Sequence, residues 1–270
     1  MLIKRLFRPW GRVLALALAL ILLATALIQP VLSYDPPHDN PGPATDSIYF
    51  KAFHVDIAPA SLEKGDMDMY IYSLKTLAAE QLEGNAGIEV YQAPATSLSL
   101  FLNPAPDVAG QLNPLSIEEV RFALNYVINR DFIAQEIYKG MAEPMLAHVS
   151  HFDYDYRIVN PLVREFNISY QPELAQQIVT AEMTAAGAQL VDGYWHYDGK
   201  RIDIRFIIRV EDERREIGDL VRAELDKLGF FVIPIYQQFA PAIYAVYGND
   251  PQLFGWHMYT EGWGRGSPER

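Results

Sequence analysis

The segment WHMYTEGWGRG, Trp256 to Gly266, gathers two tryptophans, a tyrosine, a histidine and a glutamate close to the end of the chain. Tyr and Trp bury large flat surfaces while keeping a polar tip, so they serve cores and ligand clefts alike. At a strand's period of two, Trp256, Met258 and Thr260 face one way and His257, Tyr259 and Glu261 the other. Gly262 and Gly264 let Trp263 sit on a turn where the backbone comes close to something else. Two readings stand: an aromatic sheet edge packed for its own sake, or the wall of a ligand cleft.

Other clusters offer less. His148, His151, Asp153 and Asp155 are ligand types for zinc or another divalent cation. Their spacing fits no helical metal motif, and a solvated turn is the plainer reading. No metal or other cofactor is expected. A nucleophilic enzyme needs a serine or thiol beside a base, and the chain has neither G-x-S-x-G nor any cysteine. The run GWGRG lacks the Lys-Ser/Thr ending of a phosphate loop and opens no helix. Asp66 and Asp68 pair as the polar face of a strand would. The charge run EDERREIGD, Glu211 to Asp219, reads as solvated helix surface. Catalysis is therefore not expected.

Composition narrows the class. Half of the 270 residues are hydrophobic, enough to bury a core. The net charge is -12, and the first 33 residues hold Lys4, Arg5, Arg8 and Arg12 with no acid. The remainder has 18 basic and 34 acidic residues, a net of -16. That field repels phosphate backbones, so no nucleic-acid partner is expected. The basic stretch precedes an apolar run, Val13 to Ile28, then Pro30 and the small-residue site Val31-Leu32-Ser33. Residues 1–33 read as a signal peptide or a retained N-terminal membrane anchor, and everything beyond them as exported. Residues 34–45, with four prolines and a glycine, form a linker.

The elements that would position the aromatic segment follow from pattern. Strands are expected at Asp46 to Phe53, at Asp66 to Tyr72 with Tyr70 and Tyr72 on the polar side, at Ile88 to Gln92 and at Ser97 to Asn103. A short helix covers Ala58 to Lys64. Ser116 and Glu119 suggest a capping box ahead of an amphipathic face of Val120, Leu124, Val127 and Ile128. A second helical stretch runs from Asp131 to Tyr138. Pro172 opens another helix, which Gly187 closes. Asp198-Gly199 signals a hairpin, followed by alternating Ile202, Ile204, Phe206, Ile208 and Val210. A helix from Asp212 to Leu228, a strand at Phe230 to Tyr236 and a short helix from Pro241 to Tyr247 complete a mixed α/β order.

Several of these segments together resemble one family, the extracellular solute-binding proteins of ABC transporters in the large oligopeptide- and nickel-binding class, family 5. The stretch EEVRFALNYVINRDFIAQEIYKGMAEP, Glu118 to Pro144, is similar to that family's helix pattern through Arg121, Ala123, Leu124, Ile128, Arg130 and Gly140. Asn129 stands where the family usually has Asp. YQPELAQQIVTAEMTAAG resembles a second family helix, with Gln171 in place of the common Asp. REIGDLVRAELDKLGFFV, SLEKGDMDMYI and YTEGWG resemble three further segments, all in the family's order. No Asp follows the Gly-Trp pair; Gly264, Arg265, Gly266, Ser267 and Pro268 stand there instead, so dipeptide recognition is not carried over.

The resemblance implies periplasmic-binding-protein-like (type II) mixed-sheet lobes, apparently incomplete. Residues 46–113 would be part of the first lobe with hinge strands, and 114–270 the second lobe, truncated at its C-terminus. It implies an exported, monomeric, non-enzymatic component of an ABC importer. This would capture a peptide or other small polar solute in an interlobe cleft and deliver it to a membrane permease. Trp263, Tyr259, Glu261 and Tyr72 become the ligand-binding candidates. The rival readings are a non-transporting cell-surface interaction protein derived from that fold, and a secreted hydrolase.

Overall fold

The computed structural model describes residues 42, 45–93, 96–150 and 152–264. The expected leader or anchor, most of the linker, and His151 lie outside the described residues. The chain divides into two compact units, Met1–Ala52 and Phe53–Arg270, and every element below belongs to the second. Among the described residues no helix is long and apolar enough to cross a membrane.

In chain order the elements are α1 (Ala58–Lys64), α2 (Thr76–Glu83), β1 (Thr96–Leu102), α3 (Glu118–Val127) and α4 (Arg130–Phe132), which runs on as a π-helical turn, Ile133–Ile137. Then follow α5 (Tyr156–Arg164), α6 (Pro172–Ala185), β2 (Gln189–Val191), β3 (Tyr194–Tyr197), β4 (Lys200–Arg201) and β5 (Asp203–Arg209). The chain continues with α7 (Arg214–Lys227), β6 (Phe231–Gln237), α8 (Phe239–Tyr247) and β7 (Met258–Gly264).

The main sheet has the order β1-β7-β5-β6. β5 pairs parallel with both β6 and β7, and β1 closes one edge antiparallel to β7. Pro234, in the middle of β6, has no N–H to donate, which suits the other edge. One face of the sheet buries Ile204, Phe206, Ile208 and Met258 against Val120 and Leu124 of α3, Val179 and Met183 of α6, and Val221 and Leu225 of α7. The opposite face buries Ile207 and Tyr259 against Ala242 and Val246 of α8, with Phe101 and Ile235 packed alongside. The alternation expected from Ile202 to Val210 thus understates β5: parallel strands covered on both faces bury both sets of side chains.

α7 lies so close to β5 that a β-carbon on Gly218 would stand 2.6 Å from Ile208 Cγ2. The hairpin turns at Asp198 and Gly199, both with positive φ, 50° and 72°, the backbone of a two-residue type I′ turn. Trp195 of β3 is buried, and its Nε1 donates to Leu228 O at 2.9 Å. That bond fastens the small β2-β3-β4 sheet to the end of α7.

Three expected strands do not form. Residues 46–53, 66–72 and 88–92 alternate suitably, yet they pair with no strand among the described residues. Ile48, Phe50, Met69 and Ile71 are exposed; without a neighbouring strand the alternation has no surface to cover. The capping box also fails to close. Ile117 is the N-cap of α3, and the Ser116 hydroxyl donates back to Asn113 O at 2.9 Å. Asn113 instead caps the preceding 3-10 turn, Pro114–Ser116, by accepting from Leu115 N–H.

Candidate functional site

Parallel strands bring their carboxyl ends to one side of a sheet, the usual place for a ligand. Here β5 ends at Arg209, β6 at Gln237 and β7 at Gly264, while antiparallel β1 begins opposite Gly264. On the α8 face the strands change character toward that end. Phe101, Tyr259, Ile207 and Ile235 form an apolar row; beyond it Ser99 stands opposite Glu261, Arg209 opposite Gln237, and Ser97 opposite Trp263.

The polar part is tightly wired. Arg209 is buried, with its Nε donating to Glu211 at 2.8 Å and its Nη1 to the Tyr259 hydroxyl at 3.3 Å. Its guanidinium also lies over the Phe239 ring. Burial opposes its charge, but the bonds to Glu211 and Tyr259 outweigh that and hold its pKa above the ordinary value. Burial likewise opposes the Glu211 charge, and the bonds from Arg209 and the Phe239 N–H overcome it, leaving that carboxyl below its ordinary range. Glu261 is buried, accepting from the Tyr247 hydroxyl of α8 and from Gly262 N–H at 2.8 Å. Burial, then the carboxylate, pushes the Tyr247 pKa up.

At the rim the chemistry becomes accessible. Trp263 is 39% exposed; its Nε1 donates to Ser99 Oγ at 3.0 Å, and the His148 ring meets it edge-on at 5.6 Å. Beside it Ser97 is 5% exposed, and its hydroxyl has no hydrogen-bond partner among the described residues; neither does Gln237 Oε1. Arg214, at the start of α7, grips Asp212 through Nε at 2.8 Å and Nη2 at 2.6 Å. The rim can therefore offer a flat indole face over a hydrogen-bonded floor, with the uncommitted Ser97 and Gln237 oxygens buried beneath it.

Of the four candidates, Tyr259, Glu261 and Trp263 share one strand face, with Trp263 the one that reaches solvent. Tyr72 is exposed on the segment between α1 and α2, and no hydrogen bond or ring contact joins it to the other three. His148 belongs to the rim as an aromatic neighbour of Trp263. Among the described residues no group of three or more His, Cys, Asp or Glu stands together as a metal site. Sequence reading missed Arg209, Ser97, Ser99 and Gln237. The signal for Arg209 was its parity with Ile207, which puts a cation on a buried face with an acid two residues on.

Residues 34–270 match the profile of the bacterial extracellular solute-binding proteins, family 5 Middle. The chain belongs to this family. No curated protein matches it. Among solved structures, this family 5 chain is similar to NikZ from Campylobacter jejuni in complex with Ni(L-His), at 18% identity and a TM-score of 0.58, over 79% of this chain and 38% of that one. It is similar to a mannohexaose-bound periplasmic oligopeptide-binding protein from Thermotoga maritima, at 20% identity and a TM-score of 0.60, over 78% and 38%. Lactococcal OppA, complexed with an endogenous peptide, gives 18% identity and a TM-score of 0.59, over 77% and 40%. The shared fold is that of type II periplasmic binding proteins. The chain spans about two-fifths of the length of these relatives.

Proposed function

We propose that this family 5 chain is an exported substrate-binding component, or a part of one, serving an ABC importer. In this reading a peptide or other small polar solute rests against the rim at the carboxyl ends of β5, β6 and β7 and passes to a membrane permease. The observation that carries it is the half-exposed Trp263, backed by a hydrogen-bonded network of buried Arg209, Tyr259 and Glu261 with Glu211 and Tyr247. Such a face accepts a ligand without rearranging its floor. Trp263 makes the direct contact, while Tyr259 and Glu261 position the strand from behind. Tyr72 is exposed enough for a contact, and the reading does not depend on it. β1 and the end of β7, adjacent and antiparallel, serve as hinge strands between a first lobe, of which 46–113 is part, and a second lobe, 114–270.

The test is thermal unfolding of the full chain with a library of short peptides and small polar solutes. A ligand that prefers the native state must raise its melting temperature. A shift that one solute produces, and that Trp263→Ala abolishes, supports the reading. A cooperative transition that no solute moves sinks it and favours a cell-surface interaction protein.

A further inference from the structure

On the opposite side of the sheet, α3 and α6 border a shallow, open groove of about 500 Å³. Gln171 N–H donates to Tyr126 O at 2.8 Å, so α6 starts where α3 ends and the two helices run antiparallel. α6 carries two apolar stripes. Ala175, Val179 and Met183 are buried in the core, while Leu174, Ile178 and Ala181 line the groove together with Phe122 of α3. A shallow apolar groove between two antiparallel helices is the shape on which a third helix can lie.

The rim of this groove is acidic. Glu118, Glu119 and Glu182 line it, and none of them is in an ion pair among the described residues. The nearby Arg121 is committed to its own backbone, donating to Leu115 O at 2.8 Å and Ser116 O at 2.9 Å. The helix dipole accounts for Glu118 and Glu119, which stand in the first turn of α3. It does not account for Glu182, which stands in the last turn of α6, where a carboxylate is disfavoured. Three like charges around an apolar floor are stabilised by cations brought from outside.

We propose that this groove docks a basic amphipathic helix of a partner protein. The apolar stripe of that helix lies on Phe122, Leu174, Ile178 and Ala181, and its Lys or Arg flanks meet Glu118, Glu119 and Glu182. The same acidic rim repels an anionic lipid surface. The inference is independent of the solute-binding reading, since the groove and the Trp263 rim use different residues.

The test uses the full chain and two synthetic helical peptides of about 18 residues, long enough to span the groove. They share one Leu/Ala stripe; one is flanked by Lys, the other by Glu. Fluorescence anisotropy should show binding of the Lys peptide alone. The triple variant Glu118→Gln/Glu119→Gln/Glu182→Gln should weaken it about tenfold. Ala181→Trp, which fills the groove from an exposed helical position, should weaken it comparably. A control triple, Glu63→Gln/Glu80→Gln/Glu89→Gln, removes equal charge from exposed sites elsewhere and should leave affinity unchanged. Thermal melts confirm that each variant folds. Absence of binding, equal loss in the control triple, or indifference to Ala181→Trp would each overturn the proposal.

Discussion

A β-carbon on Gly262 would stand 2.6 Å from Nη1 of Arg214. The guanidinium cannot swing away cheaply, because it is buried and holds Asp212 with two nitrogens. β7 and the start of α7 are thus fitted to each other beside the rim. Gly262→Ala should destabilise the chain by about 1–3 kcal/mol through overpacking. Adding Arg214→Lys, a slimmer head group, should recover part of that loss. Chemical denaturation of the two variants checks it; a Gly262→Ala chain as stable as the parent would show that the contact relaxes freely.

The Arg209–Glu211 pair predicts an asymmetry. Its side chains are 2% and 18% exposed, so removing one partner strands a charge in a poorly hydrated place. Glu211→Gln should cost about 3 kcal/mol, the lower end for a broken buried pair. The double variant Arg209→Met/Glu211→Gln should cost less than the sum of its single changes, since no charge is then left alone. Additive losses in a denaturation cycle would mean that the two groups act separately.

Local chemistry was legible in the sequence, and long-range pairing was not. Asp198-Gly199 fixes its own turn and Pro172 and Gly187 frame their own helix, so both were readable from neighbours alone. The stretches 46–53, 66–72 and 88–92 carry the same alternation as β1, yet only β1 found a partner, 156 or more residues away in β7. Pairing depends on a second segment that alternation does not name. The site behaved likewise. Trp263 announced itself through an aromatic cluster. Arg209 sat in a stretch read for its isoleucines, and its hydroxyl partner lies 50 residues on, at Tyr259.

His257 should make stability depend on acid. It is buried, stacked on Phe254, and its Nδ1 accepts from Arg205 N–H at 3.1 Å. Burial, then the Arg205 charge, lowers its pKa from 6.5 to about 4. Below pH 6.5 the unfolded chain therefore takes up a proton that the folded chain refuses. Stability conferred by the neutral ring is complete above 6.5 and is lost as the pH falls toward 4, to a total of about 3 kcal/mol. Melting temperatures measured across this range should fall more steeply for the parent than for His257→Gln. Parallel curves would rule the histidine out as the source.

The exposure of Trp263 has an optical consequence. Trp195 and Trp256 are 1% and 5% exposed against 39% for Trp263, so a collisional quencher reaches the third far more readily than the first two. In a Trp10→Phe background, acrylamide should quench a single accessible fraction of the fluorescence, and Trp263→Phe should remove it. Trp263→Phe forfeits one hydrogen bond to Ser99 at a half-exposed position, so its stability should drop by no more than about 1 kcal/mol. A ligand seated on the indole should shield the same fraction from acrylamide. If quenching survives Trp263→Phe, the strand end is packed differently and Trp263 is not the face that a solute meets.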